Sequence, residues 1–267
     1  MNESKVAPTA YSHRVIAFID VLGFGALVES TSNSMPKSQA KTLKRITDAI
    51  LWALEELDEL HTPLSDVVFT QFSDSFVLSC DASKDSFALY DFALAALSII
   101  DCFLGSKLLL RGGITQGDLI HDDKLLFGPA MNRAYHLESK LAKVPRIILD
   151  PELPQLQEFS AFKNVLARDD DQLLFVNYFR AWKRWFVVPG YRLSLQQTIE
   201  AMPRSEKLQE KRTWMTKRYN ESLKGFSFDD FERQLLEYVR GTDANNAVVE
   251  DQLNILKNAR QLRKLKL

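Results

Sequence analysis

Two aspartates stand where aspartate is costly. Asp20 interrupts the apolar run Phe18-Ile19-Asp20-Val21-Leu22-Gly23-Phe24, and Asp74 interrupts Gln71-Phe72-Ser73-Asp74-Ser75-Phe76, 54 positions later. A carboxylate in such a run is unfavourable unless it is paired, protonated or bound to a metal. Converging oxygen ligands at an open site suit a divalent cation, with positions left for phosphate oxygens and water. The plainer alternative is that Asp20 caps a turn and Asp74 is a hairpin residue. Taken together on adjacent expected strands, the pair is better explained by one shared cation site, and hence by metal-dependent phosphate chemistry. The loop Leu22-Gly23-Phe24-Gly25, ahead of a helical turn at Ala26 to Glu29, offers backbone amides to phosphate, although such glycines also serve tight turns. Arg111 heads Arg111-Gly112-Gly113-Ile114, where glycines admit a ligand or another backbone. Its guanidinium suits phosphate or a structural ion pair.

The elements that must position these residues follow from periodicity. Arg14 to Leu22 is continuous and β-branched, a strand. Leu43, Ile46, Ile50, Leu54 and Leu57 recur at helical spacing within Pro36 to Leu60. Asp66 to Cys80 divides into two strands about Ser73-Asp74-Ser75, a hairpin with Asp74 at its tip. Ser83 to Leu104 is apolar nearly all round, a buried helix. Leu108 to Thr115 and Leu119 to Ile120 form a strand pair turned at Gln116-Gly117-Asp118. A helix from Gly128 to Ala142 and a strand from Arg146 to Leu149 follow. The order is βαββαβ with additions: an α+β, ferredoxin-like palm. Later, Gln172 to Phe179 reads as a strand, continued by Trp182 to Val188, and from Leu193 the chain turns helical and charged. The expected division is a tail over 1–13, a main domain over 14–190 and a mostly helical C-terminal extension over 191–267.

Composition narrows the classes. The 267 residues are 46% apolar and 26% charged, which supports a real core, and the net charge of −1 gives no general attraction to nucleic acid or anionic membrane. The basic residues of Arg204 to Lys224 interleave with Glu206, Glu210 and Glu221, a solvated helix face. The cluster Arg260, Arg263, Lys264 and Lys266 suits a helix C-terminus. Cys80 and Cys102 lie in apolar surroundings with no CxxC, so neither a disulfide framework nor structural zinc is expected. A polar N-terminus without an apolar core suggests no signal peptide, and the interrupted stretch Phe87 to Leu110 suggests no membrane span; the expected location is cytoplasmic. His13, His61 and His121 look incidental.

The blocks FIDVLGF, FSDSF and LRGGITQGDLIHDDKLLFGPAMNRAYHLES, in that order, resemble the catalytic domain of class III nucleotidyl cyclases over about Val15 to Pro151. The family pattern is strand-Asp with Gly-Phe, hairpin Asp, Arg-x-Gly-Ile-x-x-Gly, then Gly-x-x-x-Asn-x-Ala-x-x-Leu-Glu-Ser. The resemblance implies that Asp20, Asp74 and the carbonyl of Val21 hold two divalent cations, Mn²⁺ or Mg²⁺. It implies that Gly23, Phe24 and Gly25 lend amides to a triphosphate, that Arg111 contacts phosphate, and that Asn132 positions the ribose from a facing subunit. A homodimer with composite sites, acting on a nucleoside triphosphate, is what it predicts.

The chain departs from the family at the base. Adenylyl members carry Lys and Asp, and guanylyl members Glu and Cys, where this chain has Thr70 and Pro129. The family's transition-state Arg is replaced by His136, with Arg133 nearby. Intact aspartates with replaced purine readers resemble the bacterial pyrimidine cyclases of anti-phage signalling. That resemblance implies conversion of UTP to cyclic UMP, or of CTP to cyclic CMP, as a messenger for a separate effector. Thr70 suits a uracil or a cytosine edge. The alternative of another class is a degenerate, nucleotide-binding regulatory domain. A diguanylate cyclase or polymerase-like palm fits less well, because FSDSF is not their Gly-Gly-Asp/Glu-Glu-Phe hairpin.

Overall fold

Strand β1 (Ser12–Val21) is the centre of the molecule: Val15 to Ile19 are all buried, with Asp20 and Val21 at its end. A computed structural model describes residues 10–32, 35–59, 67–82, 88–156, 162–163, 165–179 and 188–223. The expectations for His61, for residues 83–87 and 182–187, and for the basic cluster after Arg260 fall outside the described residues, as does most of the N-terminal tail.

After β1 come α1 (Phe24–Ser32), α2 (Pro36–Glu59), the hairpin β2 (Val68–Phe72) and β3 (Ser75–Asp81), α3 (Ala88–Gly105) and β4 (Leu110–His121). Strands β2, β3, β1 and β4 lie in that order, each antiparallel to its neighbour. This is the ferredoxin-like βαββαβ plan, an α+β palm. The chain then adds β5 (Leu126–Phe127), α4 (Pro129–His136), a π-helical turn (Leu137–Leu141), β6 (Ile147–Leu149) parallel to β4, and the antiparallel pair β7 (Leu166–Arg168) and β8 (Leu174–Val176). The three-residue strand β7 has too short a period to be read in advance.

Residues paired across strands share a face of the sheet. One face carries Val15, Ala17 and Ile19 of β1 and Phe76 of β3, with the ring of Phe76 5.3 Å from that of Phe103 in α3. Helix α3 is long and apolar enough to cross a membrane, but ten of its residues are buried in the protein, as expected of a core helix. The other face carries Arg14, Ile16, Phe18 and Asp20, with Ser75, Val77 and Ser79 of β3 and Phe72 and Thr70 of β2. Over part of it pack Ala130 and Ala134 of α4, in one cluster with Ile16, Phe18, Val77 and Leu119.

Two details correct the sequence reading. Gln116-Gly117-Asp118 is not a turn: β4 runs unbroken to His121, with Gly117 inside the strand beneath Ala130 of α4. The helix read as Gly128 to Ala142 is α-helical only to His136 and then widens into the π-helical turn.

The chain separates into two compact units, Met1–Asn177 and Tyr178–Leu267. In the second, α5 (Val188–Ala201) and α6 (Glu206–Leu223) pack together, with Met215 buried and the Tyr219 hydroxyl donating to Gln196 at 3.3 Å. Lys207 and Lys217 are exposed, consistent with a solvated face, whereas the Arg218 side chain is only 12% exposed and pairs with Glu221.

Candidate active site

Asp20 sits in register with Ser75 on one side and Arg111 on the other. The two-residue turn Ser73-Asp74 closes the β2–β3 hairpin, with Ser73 in the left-handed region at φ 58°. The backbone carbonyl of Asp74 accepts the Val21 N–H at 2.9 Å, which ties the hairpin tip to the end of β1. Leu22 N–H is fixed in turn by the Leu109 carbonyl at 2.8 Å. The fold thus brings the two predicted aspartates to the same end of adjacent strands.

Charge crowds there. Burial pushes the Asp20 carboxyl up to about 6, the nearby carboxylates of Glu138 and Asp74 add to it, and Arg111 opposes. Arg111 lies 3.6 Å from Asp20 and ion-pairs directly with the buried Glu138 of the π-helical turn. Burial also raises the Glu138 carboxyl, against the pull of Arg111. Arg111 Nε is buried with no hydrogen-bond partner among the described residues. Sequence reasoning missed Glu138 as a neighbour of Arg111, because a Glu in a charged helical stretch reads as surface.

The glycines beside Arg111 admit backbone. A Cβ at Gly113 would stand 2.4 Å from the Leu137 Cβ and 2.8 Å from the Ala134 carbonyl, so only glycine lets α4 and its π-helical extension lie on β4. Gly23, at φ 77°, makes the turn out of β1, and its carbonyl accepts the Leu27 N–H at 3.1 Å as α1 begins at Phe24. Gly25 lies within that first turn.

The other predicted residues lie on α4 and β2. Pro129 opens α4 behind Gly128, a favoured place for proline. Asn132 and His136 are exposed and one helical turn apart, and neither has a hydrogen bond or ion pair to Asp20 or Asp74 among the described residues. Arg133 points elsewhere: it donates to both oxygens of Asp150 at 2.7 Å and to Glu152 at 3.0 Å. Burial pushes the Asp150 carboxyl up, but hydrogen bonds from Arg133, Thr115 and the Glu152 N–H outweigh it and hold it low. Thr70 is half-buried and bonded to His121 at 2.9 Å. His121 is therefore not incidental: it is 7% exposed and sits between two hydroxyls.

A hard divalent cation fits this donor set. The carboxylates of Asp20 and Asp74 offer oxygen donors, the charge of Asp74 is already felt at Asp20, and a cation would relieve it. Among the described residues no group of three or more His, Cys, Asp or Glu is placed to hold a metal, so any ion here depends on the two carboxylates, backbone and ligand oxygens.

No protein-family model matches the chain, and no curated protein does. Among solved structures it is similar to the monomeric guanylyl cyclase domain of the RhoGC fusion protein from Blastocladiella emersonii, at 18% identity and a TM-score of 0.45, over 62% of this chain and 95% of that one. It is also similar to the guanylate cyclase domain of RhGC from Catenaria anguillulae in complex with GTP, at 16% identity and a TM-score of 0.43, over 63% and 96%. A third is the adenylyl cyclase CyaB from P. aeruginosa, at 16% identity and a TM-score of 0.40, over 64% and 95%. None of the three reaches a TM-score of 0.5, and the topology and site geometry stand independently of them.

Proposed function

We propose that this chain is a nucleotidyl cyclase that converts UTP to 3′,5′-cyclic UMP and diphosphate, working as a homodimer, with cyclic CMP from CTP as the nearest alternative. The observation that carries the reading is the convergence of Asp20 and Asp74 at one end of the sheet, beside Arg111 and the Gly23–Gly25 turn. Asp20, Asp74 and the Val21 carbonyl would hold Mn²⁺ or Mg²⁺, which supplies Lewis acidity to the ribose 3′-oxygen and the triphosphate. The backbone amides at the start of α1 receive phosphate oxygens. Arg111, with a buried Nε that lacks an acceptor among the described residues, contributes positive charge where the diphosphate leaves. The 3′-oxygen forms a bond to the α-phosphorus, the bond to diphosphate breaks, and the hydroxyl proton passes to solvent. Thr70 faces the base, and Asn132, with Pro129 and His136 on the same helix, meets the nucleotide of a second subunit.

The dimer reading draws on exposed aromatics. Phe72 is 44% exposed and Tyr135 54% exposed, and both rings pack on Phe18, at 6.0 and 5.4 Å. Apolar surface around an incomplete polar site suits a second copy. The product would then act as a messenger on a separate effector, in the antiviral role that the sequence resemblance implies.

One observation favours a second reading. Arg133 is held by Asp150 and Glu152, which leaves His136 as the other basic residue in the last turn of α4. A nucleotide-binding regulator without turnover accommodates that. Incubation of the purified protein with ATP, GTP, CTP and UTP plus Mn²⁺, with products identified by mass, decides between them. Cyclic UMP supports the cyclase; binding of a nucleotide without product supports the regulator.

A further inference from the structure

A chain of polar groups runs beneath Thr70, and its direction is fixed by Arg14. The Arg14 Nε donates to the Ser79 hydroxyl at 2.8 Å, and Nη2 donates to the Ser79 carbonyl at 3.1 Å. A guanidinium has donors only, so the Ser79 oxygen accepts there and its single hydrogen must go elsewhere. Ser79 is fully buried, and among the described residues the acceptor in reach is Nδ1 of His121, at 2.8 Å. A buried hydroxyl left without an acceptor would cost the protein its desolvation. Nδ1 is therefore bare. Burial holds His121 down at about 4, so the ring is neutral and carries its proton on Nε2. That N–H donates to Thr70 Oγ1 at 2.9 Å. The Thr70 oxygen is thereby used as an acceptor, and its own hydrogen has no acceptor among the described residues.

Thr70 is half-buried on the open sheet face, in the row next to the one that holds Phe72, Ser75, Asp20 and Arg111. Two strand spacings and one same-face step separate it from Asp20, about 12 Å between Cα atoms. That is a span a nucleotide bridges when its phosphates lie at the carboxylates and its base at β2. We infer that Arg14, Ser79 and His121 fix Thr70 as a hydrogen-bond donor to the base, so that the site accepts a pyrimidine with a carbonyl at that edge, a uridine nucleotide, over a cytidine nucleotide. This rests on the cyclase reading above and deepens it. Uracil O4 accepts the Thr70 hydrogen, whereas the cytosine amine can use only the remaining lone pair of the Thr70 oxygen and leaves the Thr70 hydrogen without an acceptor. His121 is a positioning residue here, and Thr70 makes the contact.

Imidazole ¹⁵N spectra of the full-length protein at neutral pH test the chain directly, with His121→Gln assigning the signals. The expected result is a protonated Nε2 and a bare Nδ1; a protonated Nδ1 overturns the inference. Calorimetry with Mg²⁺ and the 3′-deoxy triphosphates of uridine and cytidine, which cannot cyclise, then tests the consequence. The uridine analogue should bind about tenfold tighter, the worth of one net hydrogen bond. Thr70→Val should bring that ratio close to one, and Thr70→Ser should preserve it. An unchanged ratio in Thr70→Val overturns the assignment and leaves the cyclase reading intact. Failure of both analogues to bind removes the nucleotide reading, and the assignment with it. Should Thr70→Val not fold, Ser79→Ala frees His121 to invert, and a uridine preference unchanged in that variant overturns the inference.

Discussion

Glu138 ion-pairs with Arg111 from the π-helical turn after α4, while the same Arg111 stands 3.6 Å from Asp20. One cation is therefore shared by two carboxylates, and Glu138 has the closer hold. Glu138 keeps Arg111 from saturating Asp20, which leaves Asp20 available to a metal.

Glu138→Gln should release Arg111 toward Asp20 and weaken Mn²⁺ binding by about tenfold, the usual scale for loss of a group that supports a metal ligand. Calorimetric titration with Mn²⁺ reads this directly. The variant should also unfold more easily, by about 2 kcal/mol, less than for a fully enclosed pair because Arg111 is partly exposed. Unchanged Mn²⁺ affinity would mean that Arg111 and the metal site are independent.

Asp20 carries a stability cost that its removal should reveal. Its carboxyl is raised from 3.8 to about 6, so the folded state is penalised when the group is ionised, and the penalty disappears as it becomes protonated. In metal-free protein, Asp20→Asn should be more stable than wild type by roughly 1–2 kcal/mol above pH 6, with the gain fading toward pH 4. Turnover should be lost at every pH. Denaturant unfolding at pH 7.5 and pH 4 checks the sign, and an equal gain from Asp20→Asn at both would mean that burial and the neighbouring carboxylates do not raise Asp20.

The aspartates and the four central strands were legible because each breaks or makes a pattern: a carboxylate within an apolar run, or alternation ended by a turn. The rest depended on contacts that have no local signature. Glu138 points at Arg111 because the helix widens to a π-turn, and no periodicity in Leu137–Leu141 announces that. His121 was hidden because Gly117 reads as a turn residue, when it lies within an unbroken strand that carries on to His121. Arg14 reads as a polar strand entrance, yet it is buried and sets the direction of the Ser79–His121–Thr70 chain. The pairing of Arg133, a candidate for the substrate, with Asp150 likewise has no local signature.

His121 should shape acid stability in the sense opposite to Asp20. Its folded value of about 4 lies below the ordinary 6.5, so the unfolded chain binds the proton first. Wild type therefore loses stability as pH falls from 6.5 toward 4, by about 3 kcal/mol at most from this residue. His121→Gln carries a constant packing cost but lacks that slope. The difference in unfolding free energy between wild type and variant should shrink steadily between pH 7 and pH 4.5. A constant difference would mean that the ring is not held neutral.

Asn132 and His136 are exposed on α4 with no hydrogen bond or ion pair to Asp20 or Asp74 among the described residues, so a composite site makes a stoichiometric prediction. Asp74→Ala and Asn132→Ala should each be inactive or nearly so as homodimers, with the fold intact. Mixed one to one and allowed to exchange, half of the dimers are hybrids, and each hybrid has one wild-type site and one doubly altered site. The mixture should recover roughly a quarter of the wild-type rate per chain. A third preparation with both substitutions in the same chain, mixed with wild type, controls for exchange: its hybrids have two singly altered sites and should be inactive. On exchange the first mixture should rise from near zero to about a quarter, while the second should fall from about half to about a quarter because only its wild-type homodimers stay active; these two changes together assign Asp74 and Asn132 of one site to different chains. No recovery after exchange has been verified by mass would place both residues at a site within a single chain.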